Sequence, residues 1–337
     1  MTPDVGHPLR PALRSALRQA LWPLGLLYGL VAAARNWTFD SGLRAVHRLP
    51  VPVVSIGNLT VGGTGKTPAV AFVCALARSS GRTPGVLARG YGRAPGALLN
   101  DEGAMLQRRL PWLLQEQDPD RVAAGRRLVQ RGADYVVLDD GMQHRALHRD
   151  LDVVCLDALM PFHNGSCLPA GDLREFRSGL ARAGLVLLTR AGGLAREQLA
   201  ARVARIREIA RKQLAVHACE HSAADVVRQP DGAVLPLSEL RGRRCVLLAA
   251  IARPQSFRAV VEALGAEVVR ELRHRDHHRF TEAEVAAAAA AAASAGALLV
   301  TTEKDDARMT AFPVPRHVLR IDLRFLAAAP AASEFLL

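Results

Sequence analysis

The sequence predicts an α/β protein: a P-loop NTPase-like, mostly parallel sheet with helices on both faces, a smaller second α/β domain, and an amphipathic N-terminal helix. Three observations carry this. Short β-rich runs alternate with helical patterns from residue 51 onward (Val51–Gly57, Gly85–Ala88, Asp134–Asp139, Leu151–Leu156, Leu185–Thr189), as a parallel sheet covered on both faces requires. A glycine-rich loop follows the first of these runs, and ligands of such sheets sit beyond the carboxyl ends of the strands. Half of the 337 residues are hydrophobic, enough for one large or two ordinary domains, each with its own core. The expected divisions are a membrane-associated segment at 1–45, a nucleotide-binding domain at 46–222, a smaller α/β domain at 223–322 and a tail at 323–337.

At the N-terminus, Leu21–Ala34 is an uncharged apolar run, shorter than the roughly 20 residues of a membrane-spanning helix. Leu13, Leu17, Leu21 and Leu24 recur at helical spacing, bordered by Arg10, Arg14 and Arg18. A helix lying in the headgroup plane is built this way. A signal peptide shares the outline, and a helix packed on its own domain shares the periodicity.

Between Val51–Gly57 and a helical pattern at Ala69–Arg78 lies Asn58-Leu-Thr-Val-Gly-Gly-Thr-Gly-Lys-Thr-Pro68. Strand, glycine loop, Gly-Lys-Thr and helix form the context of a phosphate loop. Thr60, Val61, Gly62, Gly63, Thr64, Gly65, Lys66 and Thr67 would bind ATP. Backbone N–H groups converge on phosphate oxygens, and the helix adds its positive end. Lys66 would reach the β- and γ-phosphates while Thr67 ligates Mg²⁺. Thr60 stands where the motif usually has its first glycine. Only three of the 44 basic residues are lysines, which makes a lysine inside a motif informative.

The run Asp134-Tyr-Val-Val-Leu-Asp-Asp140 ends an apolar strand in two acids, the form of a Mg²⁺-holding strand, so Asp139 and Asp140 join Thr67 as metal candidates. Asp101-Glu102 reads as a polar loop, where a carboxylate could take the proton of an attacking hydroxyl. Arg273–Arg279 gathers three histidines and an acid before a Thr281-capped helix. A zinc site is conceivable there, as are a phosphate or carboxylate contact and a solvated charge run. Thr302-Glu-Lys-Asp305 follows a strand at Ala297–Thr301, and Ala223–Glu239 reads as turns or a hairpin.

The net charge of +12 points to anionic partners. Aromatic residues are too few and too scattered to make base-stacking platforms, so nucleic acid is not expected, and no obligate protein partner is inferred. Five separated cysteines without a CxxC pair read as reduced, mostly core residues of a cytoplasmic protein.

Taken together, Asn58–Pro68, Arg89-Gly-Tyr-Gly92, Asp139-Asp-Gly-Met-Gln-His144, Asn164-Gly165, Leu168-Pro-Ala-Gly171, Leu173-Arg-Glu175, Asp276-His277 and Thr302–Asp305 resemble, in order and spacing, the tetraacyldisaccharide 4′-kinases of lipid A biosynthesis. The resemblance implies a kinase peripheral to the cytoplasmic face of the inner membrane. It would move the γ-phosphate of ATP to the 4′-hydroxyl of an acylated glucosamine disaccharide 1-phosphate. It also implies Asp101 as the hydroxyl-activating residue assisted by His277, with Lys66, Asp139 and Asp140 at the phosphates. Arg89, His144, Asn164, Arg174 and Glu175 would bind substrate. The sequence departs from the family at Asn100-Asp-Glu-Gly103 (usually Gly-Asp-Glu-Pro), expected to loosen that loop, at Arg174-Glu-Phe176 (Arg-Glu-Pro) and at Ala250-Ile-Ala-Arg-Pro254 (Gly-Ile-Gly-Asn-Pro). A nucleotide-hydrolysing switch or metallochaperone-type NTPase is the alternative reading.

Overall fold

The computed structural model describes residues 18–94, 96–276, 278–309 and 312–336. Six strands, β1 (Val53–Gly57), β2 (Pro84–Ala88), β3 (Leu114–Gln117), β4 (Tyr135–Asp139), β5 (Leu151–Asp157) and β6 (Leu185–Thr189), run parallel in the order β6-β5-β1-β4-β2-β3. Most are buried along nearly their whole length, which is why they read as continuous apolar runs rather than alternating ones. Ile56 lies opposite Asp139 in the β1–β4 register. The phosphate loop and the paired acids therefore leave the sheet side by side at its carboxyl rim.

The helices of this half are α1 (Trp22–Asp40), α2 (Lys66–Ser79), α3 (Asp101–Arg109), α4 (Arg121–Gln130) and α5 (Arg196–Ala210). The second half holds β9 (Arg244–Ala249), β10 (Glu267–Arg273) and β11 (Leu298–Thr302), with α6 (Pro254–Ala263), α7 (Glu282–Ser294) and α8 (Glu303–Asp306). As the Thr281–Glu284 capping box predicts, α7 starts with Thr281 and Glu284 in reciprocal bonds.

A long strand, β7 (Ala215–Gln229), joins the two halves. Its first residues pair parallel with β6, and from Cys219 it pairs antiparallel with β12 (Arg316–Phe325). All twelve strands thus belong to one sheet, with β8 (Ala233–Leu235) hairpinned onto β7. The segment at Ala223–Glu239 therefore contains a hairpin whose first arm is the end of β7, with Val226–Arg228 paired to β8. The division expected at 222/223 falls inside a strand.

Beyond β12 the chain returns to the first half. Phe335 is fully buried in the core that also holds Val54, Val137 and Cys155, and its carbonyl accepts a hydrogen bond from Tyr135 Oη at 2.9 Å. All five cysteines are buried and unpaired.

Helix α1 packs through Gly25, Gly29, Ala32, Asn36 and Phe39, a stripe at 3–4-residue spacing. A Cβ on Gly25 would lie 2.8 Å from the Cys167 carbonyl, and one on Gly29 would lie 2.4 Å from the Phe176 ring. Phe176, where the family pattern has proline, is the surface on which Gly29 rests. Trp22, Leu24, Leu27, Leu30 and Val31 are more than half exposed on the other faces. Apart from Phe39, the large apolar side chains thus face outward and the glycines inward. Of the stripe expected from the sequence, Leu13 and Leu17, with Arg10 and Arg14, lie outside the described residues.

Candidate active site

Gly65, at φ +84°, turns the chain into α2. A Cβ there would meet His221 Nε2 of β7 at 2.3 Å, so both the backbone angle and the space call for glycine. Thr60 has no such need. It forms a strand-like bridge with Leu173, while the Val61 N–H donates to the Asp172 carbonyl at 2.7 Å. The loop is fastened from behind by Thr189 Oγ1 on the Thr64 carbonyl at 3.0 Å and by Arg190 on the Gly63 carbonyl at 2.8 Å. Within it, Asn58 Nδ2 donates to Thr64 Oγ1 at 3.0 Å, and Lys66 Nζ donates to Asn58 Oδ1 at 3.1 Å. Lys66 is thereby held at the mouth of the loop.

Lys66 Nζ also lies 3.3 Å from Asp140 Oδ1, whose other oxygen accepts from Arg174 at 2.7 Å. Asp140 adopts φ +52°, an uncommon angle for a residue with a Cβ. The strand stops at Asp139, and this turn aims Asp140 at the lysine. The two cations hold Asp140 below the usual carboxylate range against the opposing effect of its burial. Asp139 behaves oppositely. Burial pushes it up to about 6, with Asp140 and Glu102 adding repulsion and Lys66 pulling the other way.

Asp101 and Glu102 do not lie in a loop, because they open helix α3. Asn100 caps it, accepting from the Gly103 N–H at 3.0 Å, and its amide donates to the Tyr91 carbonyl at 3.1 Å. Gln117 donates to the same Asn100 side chain at 2.8 Å. A proline at 103 has no N–H to offer such a cap, so the two departures from the family pattern act as a pair and tighten this segment. Asp101 Oδ2 accepts from Arg308 Nε of the second half at 2.7 Å. Its expected helper, His277, lies outside the described residues.

Around this centre, Arg174 meets Asp140 directly. Glu175 is buried, and its two oxygens accept from Asn36, Gln143 and Arg182 at 2.8–3.0 Å. That makes Glu175 the anchor tying α1 to the acid turn rather than a group presented to a ligand. Asn164 is likewise engaged locally, with the Ala170 carbonyl and the Ser166 N–H. It shapes the loop under Gly25. His144 follows the acid turn, and burial followed by Arg121 and Arg149 pushes it down to about 4. It is a neutral imidazole at neutral pH. Arg89 is exposed just past β2.

Several neighbours of the site are not evident as such from the sequence. Buried Asp157 at the end of β5 pairs with Arg190 at 2.5 Å, and Arg253 reaches it from the second half at 3.6 Å. Arg121, also buried, exerts its charge on Asp140 and Asp139. His221 is pushed down to about 4 by burial and by Arg190, and its Nε2 makes no hydrogen bond. Of these, Arg253 alone stands in a motif, Ala250-Ile-Ala-Arg-Pro254, where it replaces the family's usual asparagine. The end of an apolar strand was the available signal for Asp157, and nothing local marks the others.

The histidine run separates into pairs: His278 with Glu284 at 3.1 Å and Asp276 with Lys304 at 3.5 Å. His274, His278 and Glu284 come within 4.8 Å of one another. The two imidazoles are stacked, however, 23° from parallel, so their in-plane lone pairs run side by side instead of converging. Thr67, Asp139 and Asp140 suit a metal better. Their donors are hydroxyl and carboxylate oxygens, the set Mg²⁺ prefers, and Asp140 Oδ1 is buried facing the Lys66 ammonium at 3.3 Å, where a cation is already favoured.

With this geometry in view, a family model described as tetraacyldisaccharide-1-P 4′-kinase matches residues 17–337. A protein named tetraacyldisaccharide 4′-kinase from Anaeromyxobacter sp. strain Fw109-5 is 46% identical over 308 residues, covering 86% of this chain and 82% of its own. One of the same name from Geobacter sulfurreducens is 36% identical over 330 residues, covering 90% and 88%. The crystal structure of LpxK from Aquifex aeolicus in complex with ATP superposes with a TM-score of 0.73 at 26% identity, covering 92% of this chain and 95% of that one.

Proposed function

Since the chain belongs to the tetraacyldisaccharide-1-P 4′-kinase family, we propose that the residues at its carboxyl rim divide into a phosphate-holding group on the first half and a hydroxyl-activating group at the cleft. The reaction transfers the γ-phosphate of ATP to the 4′-hydroxyl of a tetraacyldisaccharide 1-phosphate. The observation that carries the assignment is the family match along 17–337, and the meeting of Lys66 with Asn58 and Asp140 at the mouth of the glycine loop supports it.

The loop amides from Gly62 to Lys66 cradle the phosphates, and Lys66 neutralises charge growing on the transferred group. Arg174 stands ready for the same charge once it exchanges Asp140 for phosphate oxygen. Thr67, Asp139 and Asp140 would hold Mg²⁺, which when bound with ATP offsets the negative charge of the phosphoryl oxygens. Asp101 takes the proton of the 4′-hydroxyl, with His277 as its partner. The second half closes over the acceptor and excludes water.

Among the described residues no helix is long and apolar enough to cross a membrane. The outward apolar face of α1 supports peripheral association with the cytoplasmic face of the inner membrane, where the acylated acceptor would be met.

The test is direct. Labelled ATP, Mg²⁺ and the tetraacyldisaccharide 1-phosphate should give a bis-phosphorylated lipid, and Lys66→Ala should abolish the product. Asp101→Ala with near-normal turnover would remove Asp101 as the base. Hydrolysis of ATP at an undiminished rate without lipid would instead favour the NTPase alternative.

A further inference from the structure

We propose that Arg308 is a positioning residue for phosphoryl transfer: held rigidly by the second half of the molecule, it fixes the carboxylate of Asp101 on the first half. The inference rests on the reading of Asp101 as the hydroxyl-activating group.

Arg308 is almost completely buried, with 3% of its side chain exposed. Its Nε donates to Asp101 Oδ2 at 2.7 Å, while one terminal nitrogen donates to the Ala250 carbonyl at 3.2 Å and to Asp305 Oδ1 at 3.0 Å. Asp305 is itself fully buried and clamped, its Oδ2 accepting from the Ala250 N–H at 3.1 Å and from Thr302 Oγ1 at 2.7 Å. Thr302, Asp305 and Arg308 thus form a chain of bonds from the carboxyl ends of β9 and β11 to the first residue of α3. The planar guanidinium makes this possible. Its donors point in fixed directions, so anchoring one side of the fork on Ala250 and Asp305 determines where Nε meets the carboxylate.

The bond from Arg308 restricts the χ1 and χ2 wells open to the Asp101 carboxylate. With Oδ2 fixed by Arg308, the plane of the Asp101 carboxyl is set by the second half rather than by α3 alone. The base is then aligned only while the two halves are together, which couples its geometry to closure. The same bonds give Thr302-Glu-Lys-Asp305 a role beyond capping α8, since its first and last residues seat Arg308.

The experiment compares steady-state kinetics of the full-length wild type, Arg308→Ala, Arg308→Lys, Asp101→Ala and the double variant Asp101→Ala/Arg308→Ala, each with its melting midpoint. Misplacement of about 1 Å can cost about a hundredfold in rate, so kcat of Arg308→Ala should fall tenfold to a hundredfold while KM for ATP stays within about twofold. Guanidinium ion should restore part of the loss in Arg308→Ala and none in Asp101→Ala. In the double variant the second substitution should cost less than twofold beyond Asp101→Ala. Arg308→Lys keeps a buried cation and serves if the alanine variant does not fold; it should lose at least fivefold in kcat.

Near-normal kcat in the Arg308 variants, or losses that simply multiply in the double variant, would overturn the proposal. Normal turnover by Asp101→Ala would overturn the base assignment beneath it. Loss at Asp101 with none at Arg308 would remove Arg308 alone.

Discussion

Asp139 sits where its own charge is disfavoured, and the consequence can be measured. Burial lifts its carboxyl from 3.8 to about 6, so the folded protein binds that proton more tightly than the unfolded chain. Stability contributed by this group therefore falls as pH rises from about 3.8 to 6, and the penalty is fully present above 6. Without Mg²⁺ at pH 7.5, Asp139→Asn should raise the melting midpoint, by about 2–4 °C for each kcal/mol regained, while kinase activity collapses. By pH 4 the two midpoints should converge. A lower midpoint for the variant at pH 7.5 would contradict the account. At this scale the sequence showed which residue types gather, because Lys66, Asp139 and Asp140 lie within short motifs. It did not show their poise. The left-handed turn at Asp140 and the shielding of His221 depend on neighbours far along the chain. Asn100 and Gly103 carried the opposite lesson: read one at a time they suggest a looser segment, whereas the amide of one caps the N–H of the other.

Among the elements, α1 shows how composition can be legible while orientation is not. An apolar helix was evident from Leu21–Ala34, yet its inward face is made of Gly25, Gly29 and Ala32, where small size and not hydrophobicity secures close packing. The large side chains are left outside, next to a bonded path from Asn36 through Glu175 to Gln143 and the acid turn. A helix so placed can rest on lipid while its inner face steadies the phosphate site. Leu27→Glu with Val31→Glu changes only exposed positions. It should abolish sedimentation with anionic vesicles and leave kcat on detergent-solubilised acceptor within about twofold, since acidic side chains are costly at the acyl boundary. Undiminished vesicle binding would refute membrane contact through this face. Helix α3 was missed for a related reason. Its nine residues, Asp101–Arg109, carry few apolar side chains, and the element is held by a cap at one end and ion pairs at the other.

Across the whole molecule, the parallel half was readable because strands buried on both faces are continuous apolar runs, whereas β7 was not. Its partly exposed sequence, Ala215–Gln229, serves two sheet environments in turn and has the period of neither a core strand nor a helix. That strand makes the two halves one sheet, and α3 supplies a further connection. Besides the Asp101–Arg308 bond, Arg108 pairs with Asp306. Arg109 donates to the Ile321 carbonyl at 2.7 Å and to Glu303 at 3.2 Å, and it pairs with Asp322. Burial pushes Glu303 up to about 7 while Arg109 pulls it down, so this contact gains ionic character as pH rises through neutrality. Arg109→Ala removes all three bonds of one side chain without touching the phosphate loop. It should lower kcat about tenfold or more by letting the second half drift from α3, with the Kd for ATP within about twofold of wild type. The part of the loss owed to Glu303 should be relieved at low pH, where a protonated Glu303 no longer needs its cation, while the part owed to Ile321 and Asp322 should remain. Equal loss of ATP affinity, or an undisturbed kcat, would mean that α3 does not transmit the position of the second half to the site.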